Sequence, residues 1–192
     1  KVLQSHMFLE QKRSSEVKDR LVAGGDKQRG FVSKDDVGSL TVATESIMIT
    51  STIDAHQKRD VATVDIPNAF VQTAVTDKII MCLRGNVAEL LVSRYPESYH
   101  KYMVTTKRGD KVLYVILKRA LYGIMQAAIL FYHKLLNDLK SYGFELNPVD
   151  PCVANKVVDG TQLTVIWHVD NLKISHAKPT VVMQMIAWLR QK

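Results

Sequence analysis

The stretch from Val153 to Ile174 constrains the fold of this chain most. Val153-Ala154-Asn155-Lys156-Val157-Val158 runs into Asp159-Gly160, and then into the apolar run from Thr161 to Val169. Asp-Gly between two such runs is a strong hairpin signal, because a two-residue turn needs φ above zero and these residues tolerate it. The pattern then repeats. In Trp167-His168-Val169-Asp170-Asn171-Leu172-Lys173-Ile174 an apolar strand meets an acidic/amide pair and a second strand. Three successive antiparallel strands are therefore expected, with turns at Asp159-Gly160 and Asp170-Asn171 and the last strand over 172–176.

The longest predicted helix runs from about Met125 to Tyr142. Ala128, Phe131, Leu135, Leu136 and Leu139 form its apolar face, and Gly143 takes the left-handed position past its end. Pro179 opens a terminal helix. Upstream, Leu3 to Val22 reads as two strands about the turn Lys12-Arg13-Ser14-Ser15, followed by a mobile polar loop over 23–38. A helix from about Val42 to Gln57 is expected, capped by Ser39 or Thr41, with Ile47, Met48 and Ile53 as its apolar residues. Val61 to Val64 is a short strand, Pro67 to Thr73 a short helix, and Lys78 to Leu83 another strand. Asn86 is expected to cap a helix reaching Arg94. Residues 101–106 and 111–118 form a hairpin across Lys107-Arg108-Gly109-Asp110. Strands, hairpins and helices in this order predict an α+β fold, with helices on one face of an antiparallel sheet.

A length of 192 residues fits one domain with a substantial core. Hydrophobic residues are 46% and charged ones 23%, which describes a globular chain rather than a disordered one. The formal charge of +7 suits a polyanionic partner. Cys82 and Cys152 have no metal-type spacing and read as reduced, buried thiols of an intracellular protein. No apolar run is long enough to span a membrane. The chain lacks an initiator Met and stops inside a helical pattern, so both ends read as cuts in a longer polypeptide.

Two carboxylates bear on chemistry. Val61-Ala62-Thr63-Val64-Asp65-Ile66-Pro67-Asn68-Ala69-Phe70 ends an apolar strand in Asp65, and the hairpin carries Asp170. Acidic groups at the ends of two adjacent strands are the minimum that can hold a pair of divalent cations for phosphoryl or nucleotidyl transfer. Taken singly, each is equally well a turn or cap residue. Their conjunction with other segments is a family pattern. Arg20-Leu21-Val22-Ala23, Val64-Asp65-Ile66-Pro67-Asn68-Ala69-Phe70, Ala120-Leu121-Tyr122-Gly123-Ile124-Met125-Gln126-Ala127, Gly143-Phe144-Glu145 with Asp150-Pro151-Cys152, and Trp167-His168-Val169-Asp170-Asn171 stand in that order. In this order the chain resembles the reverse transcriptase domain of copia-type retrotransposons.

The resemblance implies the fingers and palm of a right-hand polymerase, with an antiparallel palm sheet backed by helices. Residues 1–60 would be fingers-like and 61–192 palm-like, with 78–118 returning partly to the fingers and the chain truncated before the thumb. It implies extension of a DNA primer on an RNA or DNA template from dNTPs, with two Mg²⁺ ions, or Mn²⁺, as cofactors. Asp65, Asp170 and Asn171 would occupy the catalytic positions, and Asp65, Asp170 and the Ile66 carbonyl would ligate metal. Phe70 would be the steric gate against a ribose 2′-hydroxyl. Tyr122 and Gly123 would line the nucleotide, and Arg20 and Lys18 would meet the triphosphate. Such a domain works intracellularly, in the cytoplasm or a virus-like particle.

The chain departs from the pattern in several places. Asn171 replaces the second hairpin Asp, His168 replaces the Tyr before the turn, Ala128 stands where the family has Pro, and Leu40 interrupts a Ser-Pro-Thr-like segment. Asn keeps an oxygen but loses a charge, worth up to about 4 kcal/mol per unit charge at ~4 Å and an effective dielectric of about 20. A catalytically decayed remnant of the same fold, with weak nucleic-acid binding, is therefore the alternative. An unrelated basic RNA-binding domain is a third reading, and the scattered Tyr and Phe residues offer it no stacking platform.

Overall fold

A computed structural model describes residues 2–30, 32–33 and 38–192. The fold is α+β and divides into two compact units, residues 1–37 with 70–130 and residues 38–69 with 131–192. This division differs from a boundary at residue 60, because 38–60 pack with the segment carrying Asp65.

The first unit holds a five-stranded sheet. It comprises β1 (Val2–Gln11), β2 (Val17–Ala23), β4 (Ile80–Arg84), β5 (Met103–Thr105) and β6 (Lys111–Ile116), β3 belonging to the second unit. Their order is β2-β1-β4-β6-β5. The β1–β2 hairpin turns at Ser15, whose φ is +65°. Only the start of β1 is anchored in the core, through Leu3, which packs with Met81, Leu83, Leu113 and Ile124. Toward its tip the hairpin exposes Met7, Phe8, Leu9 and Val17. β1 pairs with β4 in parallel, Val2 opposite Ile80. This corrects the expected all-antiparallel arrangement. A parallel pair needs a long crossover, and the chain makes one between residues 23 and 80, spending much of it in the second unit. Of the polar loop expected over 23–38, Gly25–Gln28 form a 3₁₀ turn, while residues 31 and 34–37 lie outside the described residues.

The second unit is built on an antiparallel sheet of order β3-β10-β9-β8-β7. Its strands are β3 (Asp60–Asp65), β7 (Glu145–Leu146), β8 (Val153–Val158), β9 (Thr161–His168) and β10 (Asn171–His176). Asp159 and Gly160 take φ of +50° and +75°, the conformation the Asp-Gly pair predicts. Helix α1 (Thr44–His56) lies against the face bearing Lys173, and α4 (Ala127–Ser141) against the other, where Tyr132 meets Trp167 with 6.2 Å between ring centroids. Helix α5 (Pro179–Leu189) packs on β3 and β10, and its Trp188 stacks on Tyr142 at 4.3 Å. Helices thus cover both faces, where one was expected. In the first unit, α2 (Gly85–Arg94) and the short α3 (Pro96–Tyr99) follow β4. The short helix expected over 67–73 is a 3₁₀ turn at Ala69–Gln72.

The helix ends show what local signals can and cannot carry. Gly143 has φ of +88°, Phe144 N–H donates to Leu139 O at 3.0 Å, and Gly143 N–H donates to Lys140 O at 3.0 Å. That is the Schellman closure expected at the end of α4. The expected N-caps are not found. Ala43 occupies the cap position of α1, and the Asp150 carboxylate accepts its N–H at 3.0 Å. Asn86 lies inside α2, with Arg84 at the cap position. Along α1, Ile47, Met48 and Ile53 are exposed, and the residue it buries is Asp54.

Candidate functional site

In the second unit the ladder sets Asn171 directly opposite Asp65, and Leu172 opposite Val64. Alternation along the strands then puts Asp65, Thr63, Asn171, Lys173 and His168 on one face, with Val64, Leu172 and Trp167 on the other. Ile66 N–H donates to Asp170 O at 2.9 Å, which fixes the chain just past Asp65 against the hairpin turn. Asp65 and Asn171 are exposed and Asp170 is half-buried. The Asn171 amide donates to Asp170 Oδ1 at 3.1 Å.

The turn itself is displaced by one residue from the expectation. Asn171 already pairs with His168 as the first residue of β10, so the two turn residues are Val169 and Asp170. Val169 carries φ of +58°. A β-branched side chain in the left-handed region costs about 1–3 kcal/mol and persists only where the surroundings impose it. Here the ladders on either side impose it. The displacement makes Asn171 a strand residue, so the pleat dictates that its side chain shares the Asp65 face. An Asp at this position would face Asp65 directly, an unfavourable like-charge pair in the absence of a cation.

Asp65, Asn171, His168, Lys173 and Ile166 line a cavity of about 380 Å³, with Ile47 of α1 opposite them. Lys173 Nζ ion-pairs with Asp54 of α1 at 2.6 Å and donates to Thr50 Oγ1 and Ser51 Oγ at 3.1 Å each. Both members are largely buried, with side chains 16% and 6% exposed. Among the described residues, no three His, Cys, Asp or Glu side chains gather as a metal cluster. Asp65 and Asp170 are the acidic residues at this end of the sheet. Carboxylate and backbone carbonyl oxygens such as theirs and that of Ile66 are hard donors of the kind Mg²⁺ takes.

Behind β9, Asp150 Oδ1 accepts Cys152 N–H at 2.9 Å while Oδ2 caps α1. Burial raises the Asp150 pKa, but hydrogen bonds from Ser46, Ala43 and Cys152 outweigh it and leave the carboxyl below its ordinary value. Burial, with the Asp150 charge adding to it, pushes the Cys152 thiol up to about 12. Tyr132 is raised by burial first, then by Cys152 and Asp150.

The remaining candidates lie in the first unit. The Phe70 ring is half-buried and meets Tyr122 at 4.6 Å, tilted by 55°. The Arg20 guanidinium stands 5.9 Å from the Tyr122 ring. Ala23 N–H donates to Tyr122 O at 2.8 Å, and a Cβ on Gly123 would come within 2.0 Å of Ala23 O. With φ of +92°, Gly123 is therefore required for the close crossing of two backbones. Lys18 and Arg20 line a groove of about 440 Å³ with Phe8 and Glu10, their partners across the β1–β2 ladder. Arg20, Phe70, Tyr122 and Gly123 thus form one cluster, with Lys18 on the same strand face as Arg20.

The ion pair of Lys173 and Asp54 and the cap by Asp150 were not foreseen. A signal for the pair exists, since a lysine inside the apolar strand Leu172-Lys173-Ile174 and an aspartate inside α1 are charges that burial obliges to find partners. Nothing local marks Asp150 as a cap.

Residues 5–192 match the family model described as reverse transcriptase (RNA-dependent DNA polymerase). The chain is 28% identical over 177 residues to the retrovirus-related Pol polyprotein from transposon RE1 of Arabidopsis thaliana, covering 91% of this chain and 11% of that polyprotein. It is 26% identical over 158 residues to the corresponding polyprotein from transposon TNT 1-94 of Nicotiana tabacum, covering 82% of this chain and 10% of the other. The chain therefore spans about a tenth of the length of these relatives. A telomerase structure from Candida albicans, in complex with a fragment of telomeric RNA, shows a loose likeness. Its TM-score is 0.42 at 10% identity, over 97% of this chain and 38% of that one.

Proposed function

This chain belongs to the reverse transcriptase (RNA-dependent DNA polymerase) family, of the copia type, and on that premise we propose that it forms the nucleotidyl-transfer centre of such a polymerase. It is the fingers and palm portion, the second unit being palm and the first fingers. It extends a DNA primer on an RNA or DNA template, and dNTPs are the substrates. The observation that carries this reading is the placement of Asp65 opposite Asn171, with Ile66 N–H bonded to Asp170 O at 2.9 Å. The backbone of the Asp65 segment and that of the hairpin turn, from distant parts of the chain, are thereby held side by side at one end of the sheet.

The oxygen donors suit Mg²⁺, with Mn²⁺ as a substitute: Asp65, Asp170 and the Ile66 carbonyl would hold it, and Asn171 would offer a neutral oxygen. Bound there, a metal pair supplies the positive charge that makes a primer 3′-hydroxyl more acidic and offsets charge on a triphosphate. The chain's own residues do the remaining work. Asp65 and Asp170 concentrate negative charge at one edge of the sheet. Arg20 and Lys18 offer cations to the phosphates, with Arg20 held over Tyr122. Phe70, packed on Tyr122, is the ring that excludes a 2′-hydroxyl. Gly123 keeps the Tyr122 loop against β2. The excess of basic residues suits a polyanionic template-primer.

One observation favours the second reading, a decayed remnant. The Asn171 amide points a donor at Asp170 Oδ1, an oxygen that a metal would need. Primer extension with Mg²⁺ or Mn²⁺ separates the two. The polymerase reading expects template-dependent extension that Asp65→Asn and Asp170→Asn each abolish, with Phe70→Ala admitting ribonucleotides. Extension unaffected by both carboxylate changes would refute the metal site, and no extension at all from a folded protein would leave the remnant reading.

A further inference from the structure

Lys173 is a cation on the sheet face that carries Asp65. It sits opposite Thr63 on β3, which makes Asp65, two residues on, its diagonal neighbour. Diagonal positions on adjacent antiparallel strands are about 7–8 Å apart and within reach of long side chains. Lys173, Asp65 and Asn171 also line the same cavity, so open space joins them. Yet the ammonium is turned toward α1, where it meets Asp54 at 2.6 Å with Thr50 and Ser51 completing its shell. Asp54 is the acidic residue buried by α1. Helix α1 is itself held by Asp150, whose carboxylate caps it at Ala43.

We propose that Asp54 is a positioning residue of the metal site: by holding the Lys173 ammonium under α1, it keeps that cation from pairing with Asp65 and competing with the divalent metal. The inference rests on the reading of Asp65 and Asp170 as metal ligands. Without the Asp54 charge, Lys173 keeps only neutral partners, and a buried ammonium without a counter-charge seeks one. The exposed Asp65 carboxylate is the acidic group of the neighbouring strand on that face, Glu145 lying on β7 at the far edge of the sheet. A lysine bonded there neutralises one ligand charge and repels a dication across a few ångströms. The pair therefore acts as a charge lock, in which the residue that matters to the metal touches neither metal nor substrate.

The test uses Mn²⁺ alone as probe, its binding read from the loss of the free-ion paramagnetic resonance signal, with circular dichroism reporting the fold. Asp65→Asn identifies the part of Mn²⁺ binding that belongs to this site. Asp54→Asn should weaken that binding about tenfold or more, the size expected when one unit charge appears within several ångströms of a dication. The double variant Asp54→Asn/Lys173→Met should restore it. Lys173→Met alone should bind Mn²⁺ roughly three- to tenfold more tightly, because Asp54 then adds an uncompensated negative charge. A purely structural clamp predicts the reverse for Lys173→Met, since α1 would loosen and binding would weaken. If Asp54→Asn does not fold, Lys173→Met decides: tighter binding supports the inference, and equal or weaker binding overturns it. Unchanged affinity in a folded Asp54→Asn overturns it while leaving the metal site standing. Absence of any Asp65-dependent Mn²⁺ binding in the wild-type chain overturns the metal reading itself, and this inference with it.

Discussion

Replacing Asp150 should loosen α1 and, through it, the cavity beside the hairpin. The residue is 5% exposed, and its two oxygens serve the Ala43 N–H at 3.0 Å and the Cys152 N–H at 2.9 Å. In Asp150→Ala the helix loses its cap, worth about 0.5–2 kcal/mol. The Cys152 amide, in a residue 0% exposed, is left without its acceptor, at a further cost of about 1–3 kcal/mol. Together the loss is about 1.5–5 kcal/mol, which in a chain of this size lowers Tm by roughly 3–20 °C. The effect must also depend on pH in a definite sense. The folded carboxyl titrates below its ordinary value because hydrogen bonds from Ser46, Ala43 and Cys152 outweigh the burial that would raise it. Its contribution is therefore complete above the ordinary carboxyl range of about 4, and is lost as pH falls through that range toward the lower folded value. Thermal unfolding followed by the fluorescence of the buried Trp167 should show the wild type and Asp150→Ala far apart at neutral pH and converging in acid. A Tm for Asp150→Ala equal to wild type at neutral pH, or a gap that persists unchanged in acid, would refute this account.

Gly123→Ala should cost about 3 kcal/mol or more, since a Cβ at φ of +92° meets a backbone oxygen at 2.0 Å, and amide exchange should show the first unit opening ahead of the second. Asn171→Asp should strengthen Mg²⁺ binding and raise any primer extension by roughly 10- to 1000-fold, about 1.4–4 kcal/mol, while slightly lowering the metal-free Tm. Melting curves with and without Mg²⁺ measure both effects, and identical responses from the two forms would place position 171 outside the metal site. Cys152, its thiol pushed up to about 12 chiefly by burial, should resist iodoacetamide at neutral pH until the protein unfolds. Mass spectrometry of briefly labelled native protein showing Cys152 alkylated at the rate of a free thiol would contradict that.

The parts of this fold legible in the sequence are those governed by near neighbours. Asp159-Gly160, the apolar spacing of α4 and Gly143 each act within a few residues, and each forms what its chemistry predicts. The segments carrying Asp65 and Asp170 could be read together because the family pattern joins segments that no local rule connects, and β3 and β10 do pair. What escaped reading was set at a distance. The cap of α1 comes from Asp150, and the parallel pairing of β1 with β4 depends on where the intervening chain travels. The Asp170-Asn171 turn failed for a different reason. Both residues favour turns, yet the two flanking ladders place the positive φ on Val169, which local preference would reject. Pairing across the sheet outweighed intrinsic preference by more than the ~1–3 kcal/mol that a strained residue costs.

The pairing of β3 with β10 also fixes when Asp65 can face Asn171. Asp65 leaves the ribosome roughly 100 residues before Asn171, and at about 5–20 residues per second that interval lasts roughly 5–20 s. Throughout it β3 has no partner, since β10 is its neighbour in the sheet. The nascent chain must carry an unpaired, partly apolar strand while most of the first unit is being made. Any chain ended early by a stop codon or a break in the message before Asn171 thus lacks the edge that Asp65 needs. Such a chain cannot pair β3 as the full chain does, so Asp65 comes to lie opposite Asn171 only in chains translated through the hairpin.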